Sequence, residues 1–236
     1  MSDVPHLDEA AQEAILASMP AYQREARRTG VPSLGIGLVY PIDEKDITIQ
    51  DFELPAWYPR AYGMDSGWNW TAAIWGALDR ETDVLFIYAA YKRAQAEPPS
   101  HADAIKSRGS WIPGVGDCAD LDRYDGQSFL KIYRDLGLLL ELPDKRSVEA
   151  NLHAVYTRMV TGRLKIFRSL AIVFDELRMY RREDNGDEYG KIVKQNDHLM
   201  DSMAYLVKSG IRVMRTKLEA EPGRTPFLQR GTSAWT

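Results

Sequence analysis

The stretch Ala61-Tyr-Gly-Met-Asp65-Ser-Gly-Trp-Asn-Trp-Thr71-Ala-Ala-Ile-Trp-Gly-Ala-Leu78-Asp-Arg-Glu-Thr-Asp-Val84-Leu-Phe-Ile-Tyr-Ala-Ala-Tyr91 decides the fold. Three short apolar runs, Ala61 to Asp65, Thr71 to Leu78 and Val84 to Tyr91, are separated by a Gly-Trp-Asn-Trp turn and by the polar turn Asp79 to Asp83. Runs of strand length bounded by turn residues read as strands, and connections this short join antiparallel neighbours. The stretch is therefore expected to be a three-stranded meander, with Asp65 at the end of its first strand.

Downstream, helices alternate with strands. The pattern predicts a helix over Ser100 to Arg108, a strand at Ile112 to Gly116, a helix over Gln127 to Leu136 and a strand at Leu138 to Leu142. Ser147 is placed as the N-cap of a helix whose apolar spacing runs through Val148, Leu152, Val155 and Met159, and Gly162 ends it. Leu164 to Phe167 reads as a strand, Ser169 to Glu183 as a helix with Ile172, Leu177 and Tyr180 inward, and Asp184 to Asp187 as a turn. The last core element runs from Asp197 to about Ser209, with Gly210 as its stop. Upstream, Leu7 to Arg28 reads as a connecting helix, Gly35 to Tyr40 as a short strand, and Asp43, Glu44 and Asp46 as an acidic turn. The tail from Glu219 is expected to be loose. This order is that of an α/β domain.

A chain of 236 residues, 44% hydrophobic and 27% charged, has material for one large globular domain with appendages. The single cysteine, Cys118, excludes an internal disulfide framework and is expected to be buried and structural. No segment has the apolar length of a signal peptide or membrane span, so a cytoplasmic setting without a membrane partner is expected. The net charge of -4 is unlike that of a strongly basic nucleic-acid binder. From Lys145 to Lys194, however, the chain concentrates Lys145, Arg146, Arg158, Arg163, Lys165, Arg168, Arg178, Arg181, Arg182, Lys191 and Lys194, which form either a basic face or a solvated helix surface. Trp57, Trp68, Trp70 and Trp75 are read as core. No Gly-x-x-x-x-Gly-Lys-Ser/Thr loop is present for ATP.

Three aspartates, Asp65, Asp117 and Asp201, carry the chemistry, with Asp197 beside the last of them. Asp65 and Asp117 each follow an apolar strand, where the chain leaves the sheet; ligands of open α/β sheets bind at such strand ends. Asp197 and Asp201 stand four residues apart on one helical face. Asp197 is either a cap favoured by the helix dipole or a ligand, whereas Asp201 lies deeper in the helix and has no capping role. Carboxylates gathered from distant segments repel unless a cation joins them, and an oxygen-only set suits Mg²⁺ or Mn²⁺ rather than zinc. Two ions acting on a phosphodiester are the expected chemistry. His198, beside Asp197, is a possible supporting neighbour.

In order, Tyr62-Gly-Met-Asp-Ser-Gly67 with the strand Trp70-Thr-Ala-Ala-Ile-Trp75, then Gly116-Asp117, then Asn196-Asp-His-Leu-Met-Asp-Ser-Met-Ala-Tyr205, resemble the C-terminal nuclease domain of tailed-phage terminase large subunits. The likeness spans most of the chain, including the helix, strand and helix from Ala150 to Glu183. It implies an RNase H-like α/β fold, a mixed five-stranded central sheet flanked by helices on both faces, over residues 57–215. Residues 1–56 would be a connector following an ATPase domain absent here, and residues 216–236 a flexible tail. It also implies cutting of concatemeric double-stranded DNA during genome packaging, in the bacterial host cytoplasm, with the terminase ATPase domain, the small terminase subunit and the portal as partners. By resemblance Asp65, Asp117 and Asp201 are catalytic; Asp65, Asp117, Asp197 and Asp201 hold two Mg²⁺ or Mn²⁺ ions, with Asp197 and Asp201 open as the third ligand. Lys165, Arg168 and Lys194 are candidates for holding DNA phosphates. A Holliday-junction resolvase or transposase-like nuclease, and a non-catalytic DNA or portal docking module, are the alternatives.

Overall fold

The computed structural model describes residues 37–118, 129–144, 148–183 and 191–220. The expected helix Leu7 to Arg28, the Ser147 cap, Lys145, Arg146 and the turn Asp184 to Asp187 lie outside these residues. Seven strands form one mixed sheet: β1 Thr48–Ile49, β2 Arg60–Ser66, β3 Thr71–Asp79, β4 Val84–Arg93, β5 Gly114–Asp117, β6 Leu140–Glu141 and β7 Leu164–Phe167. Their order across the sheet is β1-β7-β4-β3-β2-β5-β6. The meander is present, with β2, β3 and β4 antiparallel, while β5 joins β2 and β7 joins β4 in parallel. The five-stranded centre expected from sequence is the inner β7-β4-β3-β2-β5. The outer β1 and β6 are two-residue strands, short enough to limit the exposed sheet edge.

Alternation along each strand feeds two cores. On one face Ala61, Ala72, Ile74, Leu85, Ile87, Leu164 and Ile166 are buried under three helices: α4 (Val148–Val160), α5 (Ala171–Met179) and α6 (His198–Tyr205). On the other face Tyr62, Met64, Ala73 and Trp75 are buried with residues of α2 (Pro98–Lys106) and α3 (Phe129–Asp135). The expected acidic turn is the four-residue helix α1 (Glu44–Ile47), whose Lys45 amide donates to Asp43. Of the expected strand Gly35 to Tyr40, the described part has one antiparallel bridge, Leu38 to Arg181.

Three expectations give way to packing. Helix α5 ends at Met179 rather than Glu183, because Arg181 and Arg182 turn into bridges with Leu38 and Ile192. Its Ile172 is 42% exposed, and the buried face instead carries Val173, Phe174, Glu176 and Leu177. Gly210 does not stop the last helix. The chain passes through it at φ -65 and ψ -35, from a π-helical turn, Leu206–Gly210, into Ile211–Val213. A Cβ at 210 would meet only the movable end of the Leu206 side chain, Cδ1 at 2.9 Å, and the φ there is negative, so this glycine has no stop conformation to supply. Trp57, Trp68 and Trp70 are 69%, 50% and 37% exposed, and only Trp75 of the four is core.

One contact fixes where α6 sits. A Cβ built on Gly63 would lie 1.9 Å from the Ser202 carbonyl oxygen and 2.8 Å from the Leu206 amide nitrogen. Only glycine permits α6 to approach β2 so closely. Gly63 and Asp65 are two apart on β2 and share the face toward α6, so the contact that seats the helix also sets its first turn beside Asp65. Among the described residues, no helix is long and apolar enough to cross a membrane.

A carboxylate cluster where two strands meet a helix start

Asp65 and Asp117 are direct register partners at the C-terminal ends of the parallel strands β2 and β5. Partners in register point to the same face, so both carboxylates lie on the side where α6 begins. Asp197 immediately precedes α6 and Asp201 is in its first turn. The half-buried hydroxyl of Tyr205 links the four electrostatically: burial raises its pKa, and Asp201, Asp65, Asp117 and Asp197 raise it further. The fold thus places all four acids expected at the site within electrostatic reach of one residue, Tyr205.

Protein cations compensate them in part. His198 Nδ1 is 2.8 Å from Asp65 Oδ2, and this hydrogen bond raises the imidazole pKa against the opposing effect of burial. Lys194 Nζ lies 3.0 Å from both Asp197 Oδ2 and Asp201 Oδ2. Burial lowers the Lys194 pKa, but Asp201 and Asp197 outweigh it and the net shift is upward. Asp201 is raised from its ordinary value to about 6, first by desolvation, opposed by Lys194 and reinforced by Asp65 and Asp197. Cys118, adjoining Asp117, is buried and its thiol is pushed up to about 12, by burial first and then by Asp117 and Asp65, so it is no nucleophile at neutral pH.

Asp197 occupies the cap position, but its side chain makes no cap hydrogen bond. Its Oδ2 is buried with the Lys194 ammonium nearby and no hydrogen-bond donor aligned to it. An oxygen so placed is available to a metal cation that displaces the Lys194 ammonium. Among the described residues, no three His, Cys, Asp or Glu side chains are gathered closely enough to hold an ion by themselves. Mg²⁺ is commonly held through one or two carboxylates while water and phosphate oxygens complete its shell, so the register pair Asp65 and Asp117 supplies donors of the right kind. The donor chemistry at Asp65, Asp117, Asp197 and Asp201 therefore fits Mg²⁺ or Mn²⁺.

The basic candidates separate. Lys194 is on the acids. Arg168 is exposed just beyond β7, three residues past Lys165 in the direction of the Asp65 end of the sheet. Lys165 pairs through Phe86 and Ala77 to the level of Arg60, roughly 16 Å along the strand from Asp65, and donates to the Asp46 carbonyl. Arg158 and Arg163 bond Asp83, Arg178 bonds Glu44 and Asp175, and Arg182 bonds Glu149, so this part of the basic stretch is not a free basic face.

Two residues near the site escaped the sequence reading. Lys92 on β4 follows from register, since Asp65 pairs with Ala72 and Ala72 with Lys92. Glu176 had a legible signal, an acid among the apolar residues Val173, Phe174 and Leu177 on the face of α5 that packs inward.

The Terminase RNaseH-like domain family matches residues 63–209. The terminase large subunit of Salmonella phage P22 is 31% identical over 227 residues, covering 90% of this chain and 44% of the relative. That of Enterobacteria phage LP7 is 32% identical over 215 residues, covering 86% and 44%. The chain thus spans less than half the length of these relatives. Of solved structures, the P22 large terminase nuclease domain matches at 27% identity and a TM-score of 0.70, over 80% of this chain and 99% of that one. The large terminase nuclease of thermophilic phage G20c with bound magnesium shares the fold at 16% identity and a TM-score of 0.53, over 74% and 97%. With that family spanning the meander, both strand-end aspartates and the helix that closes over them, the chain belongs to the terminase RNase H-like domain family.

Proposed function

We propose that this chain is the metal-dependent DNA endonuclease domain of a phage terminase large subunit, cutting concatemeric double-stranded DNA as genomes are packaged. The observation that carries this reading is the register pairing of Asp65 with Asp117 beneath the start of α6, where Asp197 and Asp201 enter. Four oxygen-donor side chains at one sheet edge have no purpose in a merely structural domain, since each adds repulsion that apolar residues would avoid. In this reading the partners are the terminase ATPase domain, the small terminase subunit and the portal, and the setting is the host cytoplasm.

Asp65, Asp117 and Asp201 would hold two Mg²⁺ or Mn²⁺ ions, with Asp197 as ligand or support. Bound there, the ions supply an activated water and neutralise the leaving oxygen in phosphodiester hydrolysis. His198 holds the Asp65 carboxylate in one orientation through its 2.8 Å hydrogen bond. Lys194 keeps Asp197 and Asp201 compensated until stronger cations arrive, and its exposed ammonium is then free for a phosphate. Contacts from Lys194 and Arg168 go to the DNA backbone and carry little sequence information.

The test is plasmid cutting by the purified chain. Supercoiled DNA is expected to become nicked and linear with Mn²⁺ or Mg²⁺ and to stay intact with excess chelator. Asp65→Asn and Asp117→Asn are each expected to abolish cutting while remaining folded. Undiminished cutting in chelator, or near-normal cutting by either variant, overturns the reading.

A further inference from the structure

The start of α6 poses a problem that the site itself creates. A helix start leaves its first amides without intrahelical partners, and a residue such as Asp197 would ordinarily satisfy one of them. Here that would turn the carboxylate away from Asp201 and Asp65. Asp197 makes no such bond. The Leu199 amide instead donates to Glu176 Oε2 at 2.8 Å, a buried bond that reaches across from α5. The other carboxylate oxygen, Oε1, takes the Lys92 ammonium at 2.5 Å, and both side chains are almost wholly buried, at 3% and 9% exposure. Lys92 stands at the level of Asp65 across the sheet, and its ammonium lies 4.7 Å from the centre of the Trp70 ring, in the turn that follows Asp65.

We propose that Glu176, held by Lys92, is a positioning residue that caps α6 from outside and so leaves the Asp197 carboxylate free to face the site. This rests on the metal-nuclease reading above. A buried ion pair is a poor source of stability, because desolvation offsets the attraction and apolar residues of similar volume often do as well or better. Its value here is directional. One oxygen fixes the Leu199 N–H and with it the rotation of the first turn, which carries His198 and Asp201 and follows Asp197. The ion pair orients the carboxylate and ties the strand β4 to the same turn. Glu176, with both oxygens engaged, is not itself a metal ligand.

Two double variants isolate the cap from the charge. Glu176→Gln with Lys92→Met removes both charges and keeps an oxygen for Leu199; Glu176→Leu with Lys92→Met removes both charges and the oxygen. Neither leaves an unpaired buried charge. Mn²⁺ affinity by calorimetry, alongside melting temperature, is the readout. Supporting partners of ligands typically account for 10- to 100-fold in metal affinity, so the Leu pair is expected to bind Mn²⁺ about 10-fold or more weakly than the Gln pair, with the Gln pair within about threefold of the unaltered chain. Should the Leu pair fail to fold, Glu176→Ala with Lys92→Met gives the same comparison in a less crowded core. Equal Mn²⁺ affinity in the paired variants, with or without a change in melting temperature, overturns the proposal and leaves Glu176 a structural residue. An unaltered chain that takes up no Mn²⁺ is a different result, visible before any variant is made, and it overturns the nuclease reading together with this one.

Discussion

Asp201 is pulled in two directions: burial, with Asp65 and Asp197 near, raises its pKa to about 6, and Lys194 opposes them. Below about pH 4 the carboxyl is neutral in the folded and unfolded chain alike, and burial carries no charge penalty. Between there and about 6 the folded state holds a proton that the unfolded state has released, so stability falls as pH rises; above 6 the penalty stands in full. His198 acts in the same sense at higher pH. Its raised pKa contributes stability that is present below about 6.5 and lost as pH climbs through the folded value. Asp201→Asn is therefore expected to raise the melting temperature of the metal-free protein at pH 8, by about 2–4 °C for each kcal/mol recovered, and to leave it unchanged at pH 4. Equal shifts at both pH values in a thermal scan would contradict the assignment. Asp65 and Asp117 stand out in the sequence because each closes an apolar run, and Asp201 because it lies inside a helix where no capping role accounts for it. That Asp197 is no cap was not legible, because the competing acceptor, Glu176, comes from another helix.

At the scale of elements, Gly63 is the joint between strand and helix. The meander could be read from its own turns, and β7 was placed to the residue, since these strands are set by local alternation. The continuation of the last helix through Gly210 and the early end of α5 were not legible, because burial of Leu206, Val207 and Met214 in the core and pairing with Leu38 and Ile192 decide them. The same distinction yields a prediction. At Gly63 an added Cβ meets backbone atoms of α6 and the helix must move, whereas at Gly162 it meets nothing within 4 Å and the only difficulty is a φ of +72. Overpacking costs about 1–3 kcal/mol and sometimes more, and a left-handed residue about 1–2 kcal/mol. In urea denaturation Gly63→Ala is expected to lose at least about 3 kcal/mol and also to lose cutting, since α6 carries Asp201 and its start follows Asp197. Gly162→Ala is expected to lose about 1–2 kcal/mol and keep its activity. The reverse ranking would mean that α6 is not seated through Gly63.

Across the whole molecule, charge is arranged by position rather than by sum. The net charge of -4 coexists with an acid cluster at one sheet edge, and most of the arginines in the basic stretch are bound to acids elsewhere. With those arginines engaged, DNA affinity is expected to fall with salt at a modest slope, about -0.9 per phosphate neutralised. Measured in Ca²⁺, Arg168→Ala is expected to flatten that slope by about one unit, and Lys165→Ala, whose ammonium is bonded to the Asp46 carbonyl, to leave it unchanged. A slope altered only by Lys165→Ala would place the DNA on the opposite edge. The central claim is that acids from β2, β5 and α6 together hold two ions, and anomalous scattering from crystals soaked in Mn²⁺ tests it most directly. Two peaks roughly 3.5–4 Å apart among Asp65, Asp117 and the α6 acids are the expected result. A map with no peak at these carboxylates, Asp65 still bonded to His198 alone, would contradict it.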